Sequence, residues 1–465
     1  MKQRLLSSLF KNELFPYSQD PHSLRVRILL AIAGWSLTIL GGAWCVYYVI
    51  QCKWLLVMCY LILVSLGIYT LVLINTDRIR FVAICLAHAL LILLSMICLL
   101  DAPIPGVPRS LHMFFLPVAA GASLIFRNEN PYLRLILPFL MLTGCIVFAS
   151  SNIGITQSDL IPIQEIRVIG VWLNNATALL ILGLSLIVMQ TDITIRNSLY
   201  AEMRKALAAG HFRLHYQPQV DAVGHIFGTE ALLRWQHPTR GMIPPGVFIA
   251  VAEETGLIQP IGTWVLKEAC AQLVKWSKDP RMAHLSISVN VSASQLRQPD
   301  FVQEVIEIVT RSGAAPAHLK LELTESMLAN DVDTTIQKMT ALRAFGISWS
   351  LDDFGTGYSS LNYLKHLPFE QLKIDQSFVR DLLTNESDKA IVETLVVLSK
   401  NLNMMLIAEG VETTEQLNYL LNKGCMKYQG YLFGRPLSIE AFEAFMPVFH
   451  ESKACMQLKA QLTLI

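Results

Sequence analysis

Glu230, Asn290, Glu322, the adjacent Asp352 and Asp353, Lys373 and Glu409 recur at strand-sized intervals through the second half of this chain, at or near the ends of short apolar runs. Hard oxygen donors of this kind suit Mg2+ or Mn2+. Asp352 and Asp353 carry too much like charge to sit close together without a cation. An aspartate pair shared between two metal ions about 3.5 to 4 Å apart is an arrangement used for in-line displacement at phosphorus. In such a site Lys373 orients or deprotonates a water and Glu409 is a further ligand. A lone carboxylate at a strand end is usually a cap or a surface ion pair; recurrence over successive runs sets these apart.

The elements that must position them alternate. Strand-like runs fall at 214–220, 226–235, 285–291, 319–324, 347–351, 371–374, 404–408 and 426–429, and helical spacing fills 263–276, 301–312, 334–344 and 388–401. Such a βα series predicts a parallel barrel whose active-site groups gather at the C-terminal ends of its strands. Side chains in a strand alternate between faces, so Ser286, Ser288 and Asn290 oppose Ile287 and Val289. Lys320, Glu322 and Thr324 share a face, as do Ser348, Ser350 and Asp352. Three strands thus each aim a polar file one way, ending in an oxygen donor able to bind a metal.

Charge divides the chain near residue 195. Residues 1–195 hold 12 Lys/Arg and 8 Asp/Glu, leaving the other 270 residues with 25 of the 37 basic and 28 of the 36 acidic groups. The second part has the composition of a soluble domain with a slight negative balance, which disfavours DNA or long RNA as a partner. The first part contains six apolar stretches, 28–50, 54–74, 81–100, 111–126, 135–149 and 168–189, the fourth and fifth of them short for a span of about 20 residues.

Lys2, Arg4, Lys11, Arg25 and Arg27, then Arg78 and Arg80, then Arg127 and Arg134 fall on one side of six spans, against Lys53, Arg109 and Arg167 on the other. That bias predicts a cytoplasmic N-terminus, and an even number of spans returns the chain to the cytoplasm. No cleavable signal is expected, because the polar lead is long and the first apolar run is of spanning length. His88, Asn174 and Asn175 are polar within apolar runs, where interhelical hydrogen bonding and ligand sensing both fit. Nine cysteines with no CxxC pair argue against a disulfide framework or a zinc site. Leu199, Met203 and Leu207, with Gly210 as a stop, predict a short amphipathic helix linking the two parts.

Glu230-Ala-Leu-Leu-Arg-Trp235 resembles the signature of the EAL-domain phosphodiesterases of bacterial cyclic di-GMP signalling. Tyr216-Gln-Pro218, Ser288-Val-Asn-Val-Ser292, Glu322-Leu-Thr-Glu325, Asp352-Asp-Phe-Gly-Thr-Gly-Tyr-Ser-Ser360, Lys373-Ile-Asp375, Ala408-Glu-Gly-Val-Glu412 and Gln429-Gly-Tyr-Leu-Phe-Gly-Arg-Pro436 resemble its other blocks, in order. The apolar stretches predict a multi-span α-helical membrane domain over 1–195 with a linker helix over 196–212, and the resemblance implies an α/β modified TIM (β/α)8 barrel over 199–447, with a tail over 448–465.

It also implies hydrolysis of cyclic di-GMP to linear pGpG with two ions, Mg2+ or Mn2+. Glu230, Asn290, Glu322 and Asp352 would hold the first ion, and Asp352, Asp353 and Glu409 the second. Lys373 would serve the attacking water; Gln217, Leu232, Arg234, Gln429, Arg435 and Pro436 would meet the dinucleotide. The Gly-rich segment after Asp353 would couple the metal pair to a homodimer interface, anchored by Glu325, and Glu370 departs harmlessly from a more usual Asp. The domain would lie on the cytoplasmic side of a bacterial inner membrane. A catalytically silent cyclic di-GMP receptor and a transporter with a soluble appendage are the other readings. No Gly-Gly-Asp-Glu-Phe cyclase motif occurs, so synthesis of the messenger is not expected.

Overall fold

The computed structural model describes residues 21–76, 78–103, 107–127, 129–155, 164–325, 327, 332–355 and 367–449. Lys2, Arg4 and Lys11, the segment 356–360 of the Gly-rich run and the tail beyond Phe449 lie outside them. The chain forms two compact units, Met1–Ser198 and Leu199–Ile465.

The apolar stretches are helical: α1 (Pro21–Ile50), α2 (Trp54–Leu73), α3 (Ile79–Leu100), α4 (Phe115–Ile125), α5 (Leu137–Ser150) and α6 (Gln164–Ala209). Among the described residues five helices are long and apolar enough to cross a membrane, because a π turn over Tyr132–Ile136 lengthens the fifth stretch to Tyr132–Ser150. The fourth stretch folds as a 3-10 turn, Leu111–Phe114, followed by α4, and stays short of a span. The last apolar stretch and the amphipathic segment after it are one helix, α6, with no Pro or Gly between them to break it.

Polar groups inside these helices tie one helix to another. Trp44 Nε1 donates to Asn174 Oδ1 at 3.1 Å, Asn174 Nδ2 donates to Ser110 Oγ at 3.0 Å, and His88 Nε2 lies 3.1 Å from the Tyr132 hydroxyl. Interhelical bonding therefore accounts for His88 and Asn174; Asn175 Oδ1 is buried without a hydrogen-bond partner. Gly121 lines an apolar cavity, and a Cβ built there would meet nothing within 4 Å. The eight cysteines among the described residues are free thiols.

The second unit is built on β1 (Phe212–Asp221), β2 (Ile226–His237), β3 (Gly241–Ile243), β4 (Ser286–Asn290), β5 (Leu319–Thr324), β6 (Ser348–Phe354), β7 (Gln371–Ile374), β8 (Met405–Ala408) and β9 (Lys427–Gln429). They form one sheet in the order β1-β9-β8-β7-β6-β5-β4-β2-β3, and β1 also pairs with β2. That pairing closes eight strands into a barrel and leaves β3, too short to show a period, as an appended edge. Around it run α7 (Pro245–Thr255), α8 (Ile258–Trp276), α9 (Ala293–Leu296), α10 (Phe301–Ser312), α11 (Val332–Ala344), α12 (Gln376–Arg380), α13 (Glu386–Asn401), α14 (Thr414–Asn422) and α15 (Ile439–Phe449).

Within the barrel, one strand runs against the others. Only residues 222–225 join β1 to β2. A parallel neighbour needs a crossover of about a dozen residues, so this pair is antiparallel, and β1 meets β9 antiparallel as well. Asp221 fixes the turn: its Oδ1 accepts from the amides of Val223 at 3.0 Å and His225 at 2.8 Å, and Gly224 takes φ 83°. The remaining barrel pairs are parallel.

Alternation assigns the two faces. Ile287, Val289, Leu319, Leu321, Leu323, Trp349, Leu351, Leu372 and Ile374 are buried in the apolar core with the surrounding helices, as are Leu199, Met203 and Ala206 at the end of α6. The opposite face carries Ser288, Lys320, Glu322, Ser350, Gln371 and Lys373, all buried. The barrel interior is polar.

Candidate active site

Capping decides where each functional strand stops. Ser292 is the N-cap of α9 in a capping box with Gln295, which ends β4 at Asn290. Asp375 caps α12, its side chain accepting from the Ser377 amide at 2.8 Å, and so ends β7 just past Lys373. Glu409 follows the last residue of β8, its amide donating to Ile374 O at 3.2 Å. β6 instead runs on through Phe354, placing Asp352 and Asp353 inside the strand rather than beyond it. There Asp353 takes φ 53°, in the left-handed region that costs most residues about 1 kcal/mol. With it, the β6–β7 register shifts between Leu351 and Phe354, so the two carboxylates depart from simple alternation.

Register brings the side chains level. Asn290 lies opposite Glu322, Glu230 opposite both Ser288 and Gln217, and Thr324 opposite Asp352. Four carboxylates converge on one ammonium. Lys373 Nζ is 2.5 Å from Glu409 Oε1, 2.7 Å from Glu322 Oε2, 3.2 Å from Asp352 Oδ1 and 3.5 Å from Glu230 Oε2. Glu230 is gripped from two further sides: Asn290 Nδ2 donates to Oε1 at 2.7 Å and Gln429 Nε2 to Oε2 at 2.6 Å. With its amide nitrogen so engaged, Asn290 keeps its side-chain oxygen for a ligand.

Electrostatics are set by burial and the shortage of positive charge. Burial pushes Glu322 up to about 7 against the pull of Lys373, and Glu230 and Asp352 add like charge. Asp353 also rises to about 7, from burial first and then from Asp352 and from Asp375 beside it. Burial raises Asp352 and carries Glu409 well above the usual carboxylate range, with Lys373 opposing in both cases. For Glu230, burial is outweighed by Lys373 and by the bonds from Gln429 and Asn290, so it stays below its ordinary value. Lys373 holds its proton well above the ordinary lysine value: burial works against the charge, but Asp352, Glu230, Glu322 and Glu409 overcome it.

Five carboxyl groups around one ammonium fit divalent cations. Oxygens of Glu230, Glu322 and Asp352 lie within 4.8 Å of one another, and so do those of Asp352, Asp353 and Glu409. Asp352 belongs to both groups. Glu322 Oε1 is buried with no hydrogen-bond partner, an orphaned acceptor that an ion would satisfy. An all-oxygen donor set suits Mg2+ or Mn2+.

Gln217 Oε1 accepts from Gln429 Nε2 at 3.3 Å, and Gln217 Nε2 donates to Gly434 O at 3.3 Å, which joins β1, β9 and the segment after it. Leu232 and Arg234 follow Glu230 on the same face of β2, and Arg234 is partly buried; burial lowers its pKa and Glu230 opposes that. Arg435 stacks over Tyr431 at 4.2 Å. Pro436 O lies 3.4 Å from His215 Nδ1, and mutual backbone bonds between Tyr216 and Leu437 hold that segment on β1. Glu325 Oε2 accepts from the Gly355 amide at 2.8 Å, tying the end of β5 to the turn after β6.

A polar tier under the carboxylates was not assigned a role from sequence. Lys320 Nζ donates to Gln371 Oε1, and Gln371 Nε2 donates to Ser350 Oγ at 3.1 Å. Burial lowers the Lys320 ammonium to about 8, with Glu322 opposing. Period two placed Lys320 on the right face; nothing in the sequence showed that its ammonium would reach β7. Gln219, which donates to Gln429 Oε1 at 3.0 Å, extends the tier to β1.

Residues 201–436, about half of the chain, match the EAL domain family. The chain belongs to that family. Every site residue named above falls within the EAL domain, and the apolar helices α1 to α5 precede it. The bifunctional diguanylate cyclase/cyclic di-GMP phosphodiesterase MucR of Pseudomonas aeruginosa is 47% identical over 240 residues, covering 51% of this chain and 35% of that protein. The cyclic di-GMP phosphodiesterase NbdA of the same organism is 41% identical over 255 residues, 53% of this chain and 32% of its own. A solved structure described as PaMucR phosphodiesterase in a c-di-GMP complex shares 45% identity and a TM-score of 0.51, covering 53% of this chain and 99% of that one. The chain therefore spans about a third of the length of these curated relatives.

Proposed function

We propose that the EAL barrel hydrolyses cyclic di-GMP, opening one phosphodiester to give linear pGpG. The observation that carries this reading is the pair of carboxylate groups, Glu230–Glu322–Asp352 and Asp352–Asp353–Glu409, that share Asp352 on one end of the barrel. Glu230, Asn290, Glu322 and Asp352 would hold one divalent ion, and Asp352, Asp353 and Glu409 a second. Mg2+ or Mn2+ bound there supplies Lewis-acid charge that stabilises phosphoryl oxygens and acidifies water. In the reaction a water oxygen forms the new P–O bond, and the bridging oxygen leaves as the 3′-hydroxyl of the linear product.

The chain's own residues position this exchange. Lys373 Nζ orients the attacking water. Arg234 neutralises a phosphate, Leu232 and the Gln217 and Gln429 amides line the dinucleotide, and Arg435 with Pro436 lies beside a guanine. Glu325, through Gly355, steadies the segment after Asp353, where a homodimer contact would couple to the ions. The five helices of spanning length, with the shorter α4 counted as a sixth crossing, support a membrane-embedded domain, and an even number of crossings together with the Lys/Arg bias supports a cytoplasmic barrel on a bacterial inner membrane.

The test is pGpG release from cyclic di-GMP by the detergent-solubilised full chain with Mg2+, beside Glu230→Ala. Product from the wild type and none from the variant is expected. Tight binding without product in the wild type would instead make the chain a receptor.

A further inference from the structure

We propose that Lys320 is a positioning residue: with Gln371 and Ser350 it forms a strut inside the barrel, beneath the carboxylates, that fixes where Lys373 and Glu322 point. The inference rests on the divalent-ion reading of those carboxylates. Strand geometry builds the strut. Lys320, Gln371 and Ser350 stand two residues before Glu322, Lys373 and Asp352 on β5, β7 and β6, so each sits on the same face as the group it precedes. Ser350 is opposite both Glu322 and Gln371, whereas Lys320 is opposite Ser348, one step lower. The lysine side chain therefore rises across β6 to reach Gln371 Oε1, and Gln371 Nε2 passes the connection to Ser350 Oγ.

A strand interior offers many uncharged ways to fill this space, and burying an ammonium is unfavourable unless its surroundings compensate. Lys320 is 8% exposed, Gln371 1% and Ser350 wholly buried. Gln371 supplies a neutral acceptor; burial works against the ammonium, Glu322 and then Glu370 favour it, and Lys427 and then Lys373 repel it. Lys320 thus has two separable effects. Its charge competes with divalent ions for Glu322, and its hydrogen bond fixes the strands that carry Lys373 and Asp352.

Those effects predict opposite responses, which a space-filling role does not. In the full chain, Lys320→Met should bind Mn2+ several-fold more tightly, read from the electron paramagnetic resonance signal of free Mn2+, while kcat falls about tenfold at little change in KM, within the coupling seen for one hydrogen-bond network. Lys320→Arg should recover most of the kcat. Gln371→Met, which keeps Lys320 and cuts the strut, should lower kcat with a smaller change in Mn2+ affinity than Lys320→Met gives. It also serves as the deciding variant if Lys320→Met does not fold.

A folded Lys320→Met with wild-type kcat and Mn2+ affinity would overturn the assignment. So would weaker Mn2+ binding and lower thermal stability together, or an unchanged kcat in Gln371→Met. Failure of the wild type to take up Mn2+ would bring down the divalent-ion reading itself and the role of Lys320 with it.

Discussion

Replacing Lys373 with Met removes the ammonium that lies within 3.5 Å of Glu230, Glu322, Asp352 and Glu409 while nearly preserving its volume. Removing one partner of a buried charge cluster destabilises by about 3–5 kcal/mol. The lower end, about 3 kcal/mol, applies here because carboxylates already raised toward neutrality can take up protons. In a domain of this size that corresponds to a fall in Tm of about 6–12 °C. The sign with pH follows from linkage: a carboxyl raised in the folded state binds more protons there than in the unfolded chain, so stability falls as pH rises.

For Glu322 the window runs from its ordinary value of 4.5 to about 7 even with Lys373 present. Without the lysine it extends higher. The deficit of Lys373→Met should therefore be greatest in metal-free protein near pH 8, shrink on acidification, and be reduced by Mn2+ at pH 8. Thermal unfolding of the solubilised full chain in EDTA across a pH series, then with Mn2+, reads all three. A variant matching the wild type at pH 8, or showing a deficit indifferent to both pH and Mn2+, would refute the electrostatic account.

Asp352→Asn, altering the ligand common to both carboxylate groups, should lower kcat/KM by about three orders of magnitude, or ~4 kcal/mol, in chromatographic assays of pGpG. Apparent Mn2+ affinity of the wild type should climb through pH 7, because ion binding must displace protons from Glu322 and Asp353, both raised to about 7; a flat titration between pH 6 and 8 would contradict the assigned protonation. Gly121→Ala should stabilise the helical unit by about 1 kcal/mol, since the added methyl meets open space and the helix loses a flexible residue, measured as a higher Tm in detergent.

The barrel was largely legible because alternation is strict where a strand is apolar outside and polar inside. Ser288, Glu322 and Ser350 could be assigned to the interior from neighbours such as Val289, Leu321 and Leu351. The reversed first strand was harder: it depends on the brevity of 222–225, a loop-length fact that residue patterning does not express. The positive φ of Asp353 is likewise invisible, since Asp tolerates that conformation without requiring it. Convergence on Lys373 joins residues as far apart as Glu230, 143 positions away, and only the closed barrel sets that distance. Lys320 was seen on the right face and given no task, because a cation below the strand ends resembles packing until its partner on β7 is known. In the helical unit, Tyr132 and Arg134 interrupt the apolar run before Leu135 and so hide the start of a helix that continues through them.

Anomalous scattering from Mn2+ in crystals holding the dinucleotide tests the central claim most directly. Two peaks are predicted, one among Glu230, Asn290, Glu322 and Asp352 and the other among Asp352, Asp353 and Glu409, with a phosphate beside them. Absence of peaks there, with the carboxylates still closed around Lys373 and the dinucleotide bound elsewhere, would contradict it.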